Sequence, residues 1–228
     1  RELIKMIIDL NLKGRQALIV GGGNEAARKV EALLSQQCDI IVVAESVKQS
    51  IEEHAANGKI ALELKKIENV DFISNYDQLI LILAVTDDRK LNRKIIDFAK
   101  FHGSYAYAAD DPDVSDFSHP AVINVGDVVQ VAISTGGKSP LMAKALREKV
   151  EPILQNAVNE LILSQIKLQE QLRVKAQEIL PSPDHRKKFL ITIRDDEKVL
   201  ELLEAKKISE ANALAHERLD EYVLKISG

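Results

Sequence analysis

Residues 16–26 read QALIVGGGNEA, and this stretch decides the fold. Gln16–Val20 is an apolar run of strand length, and Glu25–Gln36 places Ala27, Val30, Leu33 and Leu34 on one helical face. Between them Gly21-Gly22-Gly23-Asn24-Glu25-Ala26 spells G-x-G-x-x-A, directly after a strand and directly before a helix. In that setting Gly21 permits a tight turn, Gly23 lets backbone approach a pyrophosphate, and Ala26 allows close helix–sheet packing. The helix start at Asn24 and Glu25 offers unpaired N–H donors and the positive end of the helix dipole. A glycine turn with no nucleotide is the weaker alternative here. The carboxylate that would bind the ribose is expected about 20 residues on. The next strand run ends Val43-Ala44-Glu45, so Glu45 is the only nearby carboxylate, with Ala44 beside it as a cofactor contact. No Arg is near to hold a 2′-phosphate, although Lys48 could reach, and NAD is favoured over NADP.

Working outward, Ile40–Val43, Ile60–Leu64, Leu79–Ala84 and Ser104–Ala109 read as further strands. Val47–Asn57 reads as a helix closed by Gly58. Asp87–His102 reads as another, with Leu91, Ile95, Ile96 and Ala99 in register and Gly103 as its stop. Strands separated by helices need crossovers, hence a parallel sheet. Wholly apolar strands fit a sheet covered on both faces. The expectation is an α/β, Rossmann-like domain over residues 1–112, with Asp87 the main N-cap of its last helix.

The rhythm changes at the acidic turn DDPDVSD (110–116). AVINV and VVQVAIS follow, joined through Gly126-Asp127, and predict an antiparallel hairpin. This gives a small β-hairpin segment, 113–145, that needs a cover; a second copy of the chain is a plausible one, so a homodimer is expected. Ser139-Pro140 opens a helical stretch to Leu180, with Pro152 the expected interruption. PSPDH (181–185) reads as a linker and Phe189–Lys225 as two helices, which makes 146–228 a helical domain.

Composition narrows the function. A net charge of −4 opposes non-specific nucleic-acid binding, which needs a basic surface. Aromatic residues at 4%, with no Trp, leave little to stack on exposed bases. No apolar run approaches the ~20 residues of a membrane span, and the opening RELIKMIIDLNLKGR has no signal-peptide core. The single Cys38 forms no internal disulfide, and no cysteine cluster offers a metal site. A cytoplasmic protein acting on a small molecule is the expectation. His119, near the acidic run, invites an iron-entry reading, but a solvated loop is the simpler account and no metal site is assigned.

Three further stretches carry a family resemblance: AVTDD (84–88) with Asn92; Ala109-Asp110-Asp111-Pro112 with Phe117 and Pro120-Ala121; and AISTGGKSP (132–140). In this order and spacing the chain resembles the precorrin-2 dehydrogenase/siroheme synthase family over roughly residues 5–155. The resemblance implies NAD-dependent oxidation of precorrin-2 to sirohydrochlorin by a homodimer of three-part architecture. It also implies Asp110 as the catalytic carboxylate. The chemistry agrees: loss of a hydride from the macrocycle is followed by loss of a proton, so a base is useful. Asp110 follows the last parallel strand, where open α/β sheets place their ligands. Thr86 ends the fourth strand, on the side of a nicotinamide. Many relatives have Asn three places before this aspartate; here it is Tyr107.

Ser134-Thr135-Gly136-Gly137-Lys138-Ser139 suits a substrate rich in carboxylates, offering backbone N–H groups, hydroxyls and a cation at a helix start. It is no P-loop, because Ala132 stands where that motif's first glycine would be. Two alternatives stay open. A bifunctional enzyme would also insert Fe2+ into sirohydrochlorin. A dinucleotide-sensing module would bind NAD without chemistry, and would have no evident need for the 134–139 loop.

Overall fold

The computed structural model describes residues 6–227; residues 1–5 and 228, at the extremes of the ranges 1–112 and 146–228, lie outside the described part. The chain forms two compact units. One runs to His119 and includes Gly136–Lys138; the other comprises Pro120–Thr135 and the chain from Ser139.

In the first unit five strands form one parallel sheet: β1 (Gln16–Val20), β2 (Asp39–Ala44), β3 (Ala61–Leu64), β4 (Leu79–Ala84) and β5 (Tyr105–Ala108). Their order is β3-β2-β1-β4-β5. The helices are α1 (Asn24–Leu34), α2 (Gln49–Ala56) and α3 (Arg89–Phe101), and a short 3-10 turn spans Asp71–Asn75. Alternation along β1 sorts the core into two layers. Ala17 and Ile19 pack with Val30 and Leu33 of α1 and Ile51 of α2. Leu18 and Val20 pack on the other face with Ile95, Ile96 and Ala99 of α3. Both faces are therefore covered, which is why the strands read as unbroken apolar runs. Strand order reverses between β1 and β4, and that switch point opens a crevice at the strands' carboxyl ends.

Helix α3 begins two residues later than its sequence suggests, and Asp88 rather than Asp87 caps it. The Asp88 carboxylate accepts from the N–H groups of Lys90 (2.8 Å) and Leu91 (3.1 Å). Gly103 follows the helix at φ +76°, a conformation glycine adopts without cost.

In the second unit β6 (Ala121–Val125) and β7 (Val129–Ile133) pair antiparallel. Gly126 and Asp127 both take positive φ in the turn, as a tight hairpin of right-handed twist requires. Helix α4 (Pro140–Ala157) runs through Pro152 without ending. The interruption comes instead at Val158-Asn159, where the Asn159 side chain accepts from Ile162 N–H and starts α5 (Glu160–Ile179). The expected linker at 181–185 is largely the first turn of α6 (Pro183–Arg194), capped by Ser182. The two helices expected from Phe189 onward become three, because Asp196 caps a separate α7 (Glu197–Glu204) ahead of α8 (Ile208–Ser227). Phe189, Ile193, Leu172, Leu203 and Leu219 knit α5 to α8 into one core. Among the described residues no helix is long and apolar enough to cross a membrane.

Candidate active site

Three strand ends build the site. Gly21 N–H donates to Val43 O (2.9 Å), Val85 N–H to Val20 O (2.9 Å) and Ala109 N–H to Ala84 O (3.2 Å), so the ladder continues one residue beyond β1, β4 and β5. The next residues, Gly22, Thr86 and Asp110, thus emerge side by side at the carboxyl ends of β1, β4 and β5, the first two flanking the switch point.

A cleft of about 610 Å³ opens there, within the usual range for a small-molecule site. Gly21–Gly23, Ala44–Lys48, Lys66, Ile67, Val85–Asp88 and Leu91 line it. Of the residues singled out for a dinucleotide, Gly21, Gly23, Ala44, Glu45 and Thr86 are on its walls. Asn24 and Glu25 form the first turn of α1, and Ala26 is fully buried beneath it.

Each glycine of the turn has its own reason. Gly21 has φ +128°, and a Cβ there would lie 2.6 Å from Val85 O. A Cβ on Gly22 would lie 1.9 Å from Ser46 O, so this position, which the motif leaves unspecified, is as restricted as its neighbours. Gly22 O also accepts from Lys48 N–H (3.0 Å), tying the turn to the loop after β2. A Cβ on Gly23 would meet nothing within 4 Å. Gly23 caps α1 but supplies no side-chain acceptor, so the first N–H groups of that helix look for an anion from outside. These features fit a dinucleotide pyrophosphate.

Asp110 is not on the cleft wall; one side chain links it to the wall. Asn92, which sequence reasoning left without a role, is 1% exposed on the inner face of α3. Its Nδ2 donates to Asp110 Oδ1 (3.0 Å) and Thr86 O (2.9 Å), while its Oδ1 accepts from the Thr86 hydroxyl (2.7 Å). Arg89 Nε approaches Asp110 Oδ2 at 3.6 Å, on a side chain that is 83% exposed. The signal for Asn92 was present: an amide in an apolar helical stripe must be satisfied by something.

The loop carrying Asp110 is fastened along the free edge of β5. Asp116 N–H donates to Ala106 O (2.8 Å), the Asp116 carboxylate accepts from Ala106 N–H (2.9 Å), and Ser115 Oγ accepts from Ala108 N–H (3.0 Å). This caps an edge strand that would otherwise expose unpaired backbone. At the loop's far end the His119 ring meets Tyr107 and Phe117, and its Nδ1 lies 3.1 Å from Lys29 Nζ. Packing desolvates the ring although the residue keeps a solvent-facing edge, and the Lys29 charge adds to this; together they push its pKa down to about 4. A neutral His119 therefore accepts from Lys29, and that nitrogen has no lone pair to offer iron. Tyr107 packs tilted against Phe117 and edge-on to His119, with Lys29 Nζ 4.1 Å from its ring centre.

In the 134–139 loop Thr135 Oγ1 accepts from Ser139 N–H (3.0 Å), and Ser139 Oγ caps α4 by accepting from Met142 N–H (3.2 Å). Gly136 and Gly137 between them take φ +66° and +88°, so the tip turns in a way other residues resist. Among the described residues no group of three or more His, Cys, Asp or Glu side chains is placed to hold a metal ion.

Comparison with known proteins bears on this geometry. Residues 8–121 match the family described as "Putative NAD(P)-binding", and residues 129–151 the one described as "Sirohaem biosynthesis protein central". A siroheme synthase of Methylococcus capsulatus is 36% identical over 182 residues, 80% of this chain and 36% of that protein. A siroheme synthase of Actinobacillus pleuropneumoniae is 31% identical over 212 residues, 93% of this chain and 42% of that protein. The chain thus spans well under half the length of these curated relatives. Among solved structures, that of SirC, a precorrin-2 dehydrogenase, superposes with a TM-score of 0.66 at 26% identity, covering 92% of this chain and 99% of that one.

Proposed function

This chain belongs to the NAD(P)-binding family of sirohaem biosynthesis proteins, and from that premise we propose that it oxidises precorrin-2 to sirohydrochlorin with NAD+. Bound in the cleft, NAD+ supplies the hydride acceptor. Gly23 and the α1 N-terminus hold its pyrophosphate, Ala44 and Glu45 its adenine ribose, and Thr86 its nicotinamide end. Asp110 accepts the proton that the macrocycle sheds, on Oδ2, since Oδ1 is engaged by Asn92. The observation that carries the reading is the Thr86–Asn92–Asp110 chain of hydrogen bonds, which sets a carboxylate one side chain from the dinucleotide cleft. A module that only sensed NAD would need no such carboxylate.

Ser134 to Ser139 dock the substrate's carboxylates, with Lys138 as their cation and the α4 dipole behind them. Residues 113–145 form a dimerisation segment between the dinucleotide-binding domain, 1–112, and the helical domain, 146–228. Exposed Val122, Leu141, Met142 and Ile153 on the hairpin and α4 support a homodimer. The cytoplasm, with its NAD pool, is the compartment this reaction suits. Insertion of Fe2+ by the same site, a lyase step, would rely on Asp110 to take the pyrrole protons.

The test is incubation of the purified chain with NAD+ and fresh precorrin-2. NADH and the sirohydrochlorin spectrum appear together with wild type, and Asp110→Ala slows both by about a hundredfold or more. No turnover of competent substrate by wild type refutes the proposal, and a faster colour change with sirohydrochlorin and Fe2+ would establish the chelatase step.

A further inference from the structure

The inner stripe of α3 runs through positions 92, 95, 96 and 99, and three of these are Ile95, Ile96 and Ala99. Asn92 is the polar exception. A buried amide is costly unless its donors and acceptor are used, and here they are. Thr86 N–H donates to Oδ1 (3.2 Å) and the Thr86 hydroxyl does so at 2.7 Å; Nδ2 donates to Thr86 O (2.9 Å) and to Asp110 Oδ1 (3.0 Å). Backbone fixes the orientation of this amide. The Thr86 N–H can only donate and its carbonyl can only accept, so a flipped amide would lose both bonds. The second Nδ2 hydrogen is thereby aimed at Asp110. Pairing with Thr86 would suffice to satisfy a purely structural asparagine; the bond to Asp110 is additional.

We infer that Asn92 is the positioning residue of the dehydrogenation, joining the Thr86 wall of the dinucleotide cleft to Asp110 and leaving Asp110 Oδ2 for the substrate's proton. The inference rests on the functional reading above. Arg89 faces Oδ2 from the start of α3 on an exposed side chain, whereas Asn92 is buried and held on two sides by backbone. Asp87, Asp88, Asp111, Asp113, Asp116 and His119 are the other ionisable groups of the two loops that meet at Asp110; Asp88 is engaged as the α3 cap, Asp116 by the edge of β5 and His119 by Lys29.

The decisive variant is Asn92→Asp, which keeps the size and the acceptor for Thr86 N–H but sets a second carboxylate against Asp110. Neighbouring carboxylates hinder one another's ionisation, so the acid limb of kcat for NADH formation should move up by about one pH unit or more. The dissociation constant for NAD+, measured separately, should stay within about threefold of wild type, or ~0.7 kcal/mol. An unmoved limb overturns the inference. Should this variant fail to fold, Asn92→Ser removes the Asp110 bond without adding charge. In that variant kcat falls about tenfold or more while the KM for NAD+ holds, and an unchanged kcat overturns the inference. A readout independent of turnover is the carboxyl carbon-13 titration of Asp110, assigned by its loss in Asp110→Asn. Its midpoint rises in Asn92→Ser, and coincidence with wild type overturns the inference. Wild type that makes no NADH would remove the functional reading, and the carboxyl titration would still decide whether Asn92 governs Asp110.

Discussion

Replacing Gly23 by alanine separates binding from stability. Its φ of −79° and ψ of −165° suit any residue, and the new Cβ would meet nothing within 4 Å. Two small effects on folding oppose each other. Restricting the unfolded chain adds about 0.4–1 kcal/mol, and alanine at an N-cap loses about as much against glycine. The melting temperature should therefore stay within about 2–4 °C of wild type, a shift worth about 1 kcal/mol in a chain of this size. Binding should behave differently. The same methyl group sits on the cleft wall at the start of α1, where the pyrophosphate must come within hydrogen-bond reach of the first N–H groups. Overpacking of this kind costs about 1–3 kcal/mol, or roughly a fivefold to 150-fold loss of NAD+ affinity. Calorimetric titration of NAD+ into both proteins, beside thermal scans, measures the two quantities. Gly23→Ala protein that binds NAD+ as tightly as wild type would refute the assignment of this turn to the pyrophosphate.

Gly22→Ala should show the converse pattern. Its Cβ would sit 1.9 Å from Ser46 O, so backbone must move by more than an ångström, and a thermal scan should show a loss of about 1–3 kcal/mol or more. Asp88→Ala removes the acceptor of two α3 N–H groups and should cost about 1 kcal/mol by chemical denaturation, whereas Asp87→Ala should stay within about 0.5 kcal/mol. His119 makes stability depend on pH in the acid range. Its native pKa of about 4 lies below the ordinary 6.5, so the unfolded chain binds more protons between those values. Stability is then whole above pH 6.5 and declines as pH falls toward 4. The loss is on the order of 1 kcal/mol, discounted for the ring's solvent-facing edge, and His119→Gln should flatten denaturation midpoints across that window.

Strands β1 and β4 were legible to the residue, because apolar runs of strand length, ALIV after Gln16 and LILILA from Leu79, admit few other readings. The hairpin was legible through Gly126-Asp127. Helix boundaries in the second unit were less so. Pro152 looks like a breaker, yet a proline inside a long helix forfeits one hydrogen bond and can be carried by the packing around it. The actual break at Asn159 has no glycine or proline to mark it, and capping by Asn, Ser or Asp is visible only where the chain already turns. The same holds for Asp196, which splits the expected pair of helices into three. In the site, the glycine turn and Asp110 announced themselves by motif and position. Gly22 did not, since its constraint is the Ser46 carbonyl of a different loop, and neither did Asn92, whose partners lie six and eighteen positions away in sequence.

The most direct measurement is a crystal structure of this chain with NAD+ bound. The pyrophosphate should rest on Gly23 and the α1 N-terminus, with the nicotinamide against Thr86 on the side of Asn92 and Asp110. A dinucleotide lying with its nicotinamide toward Glu45 and Lys66, remote from Asp110, would contradict the account.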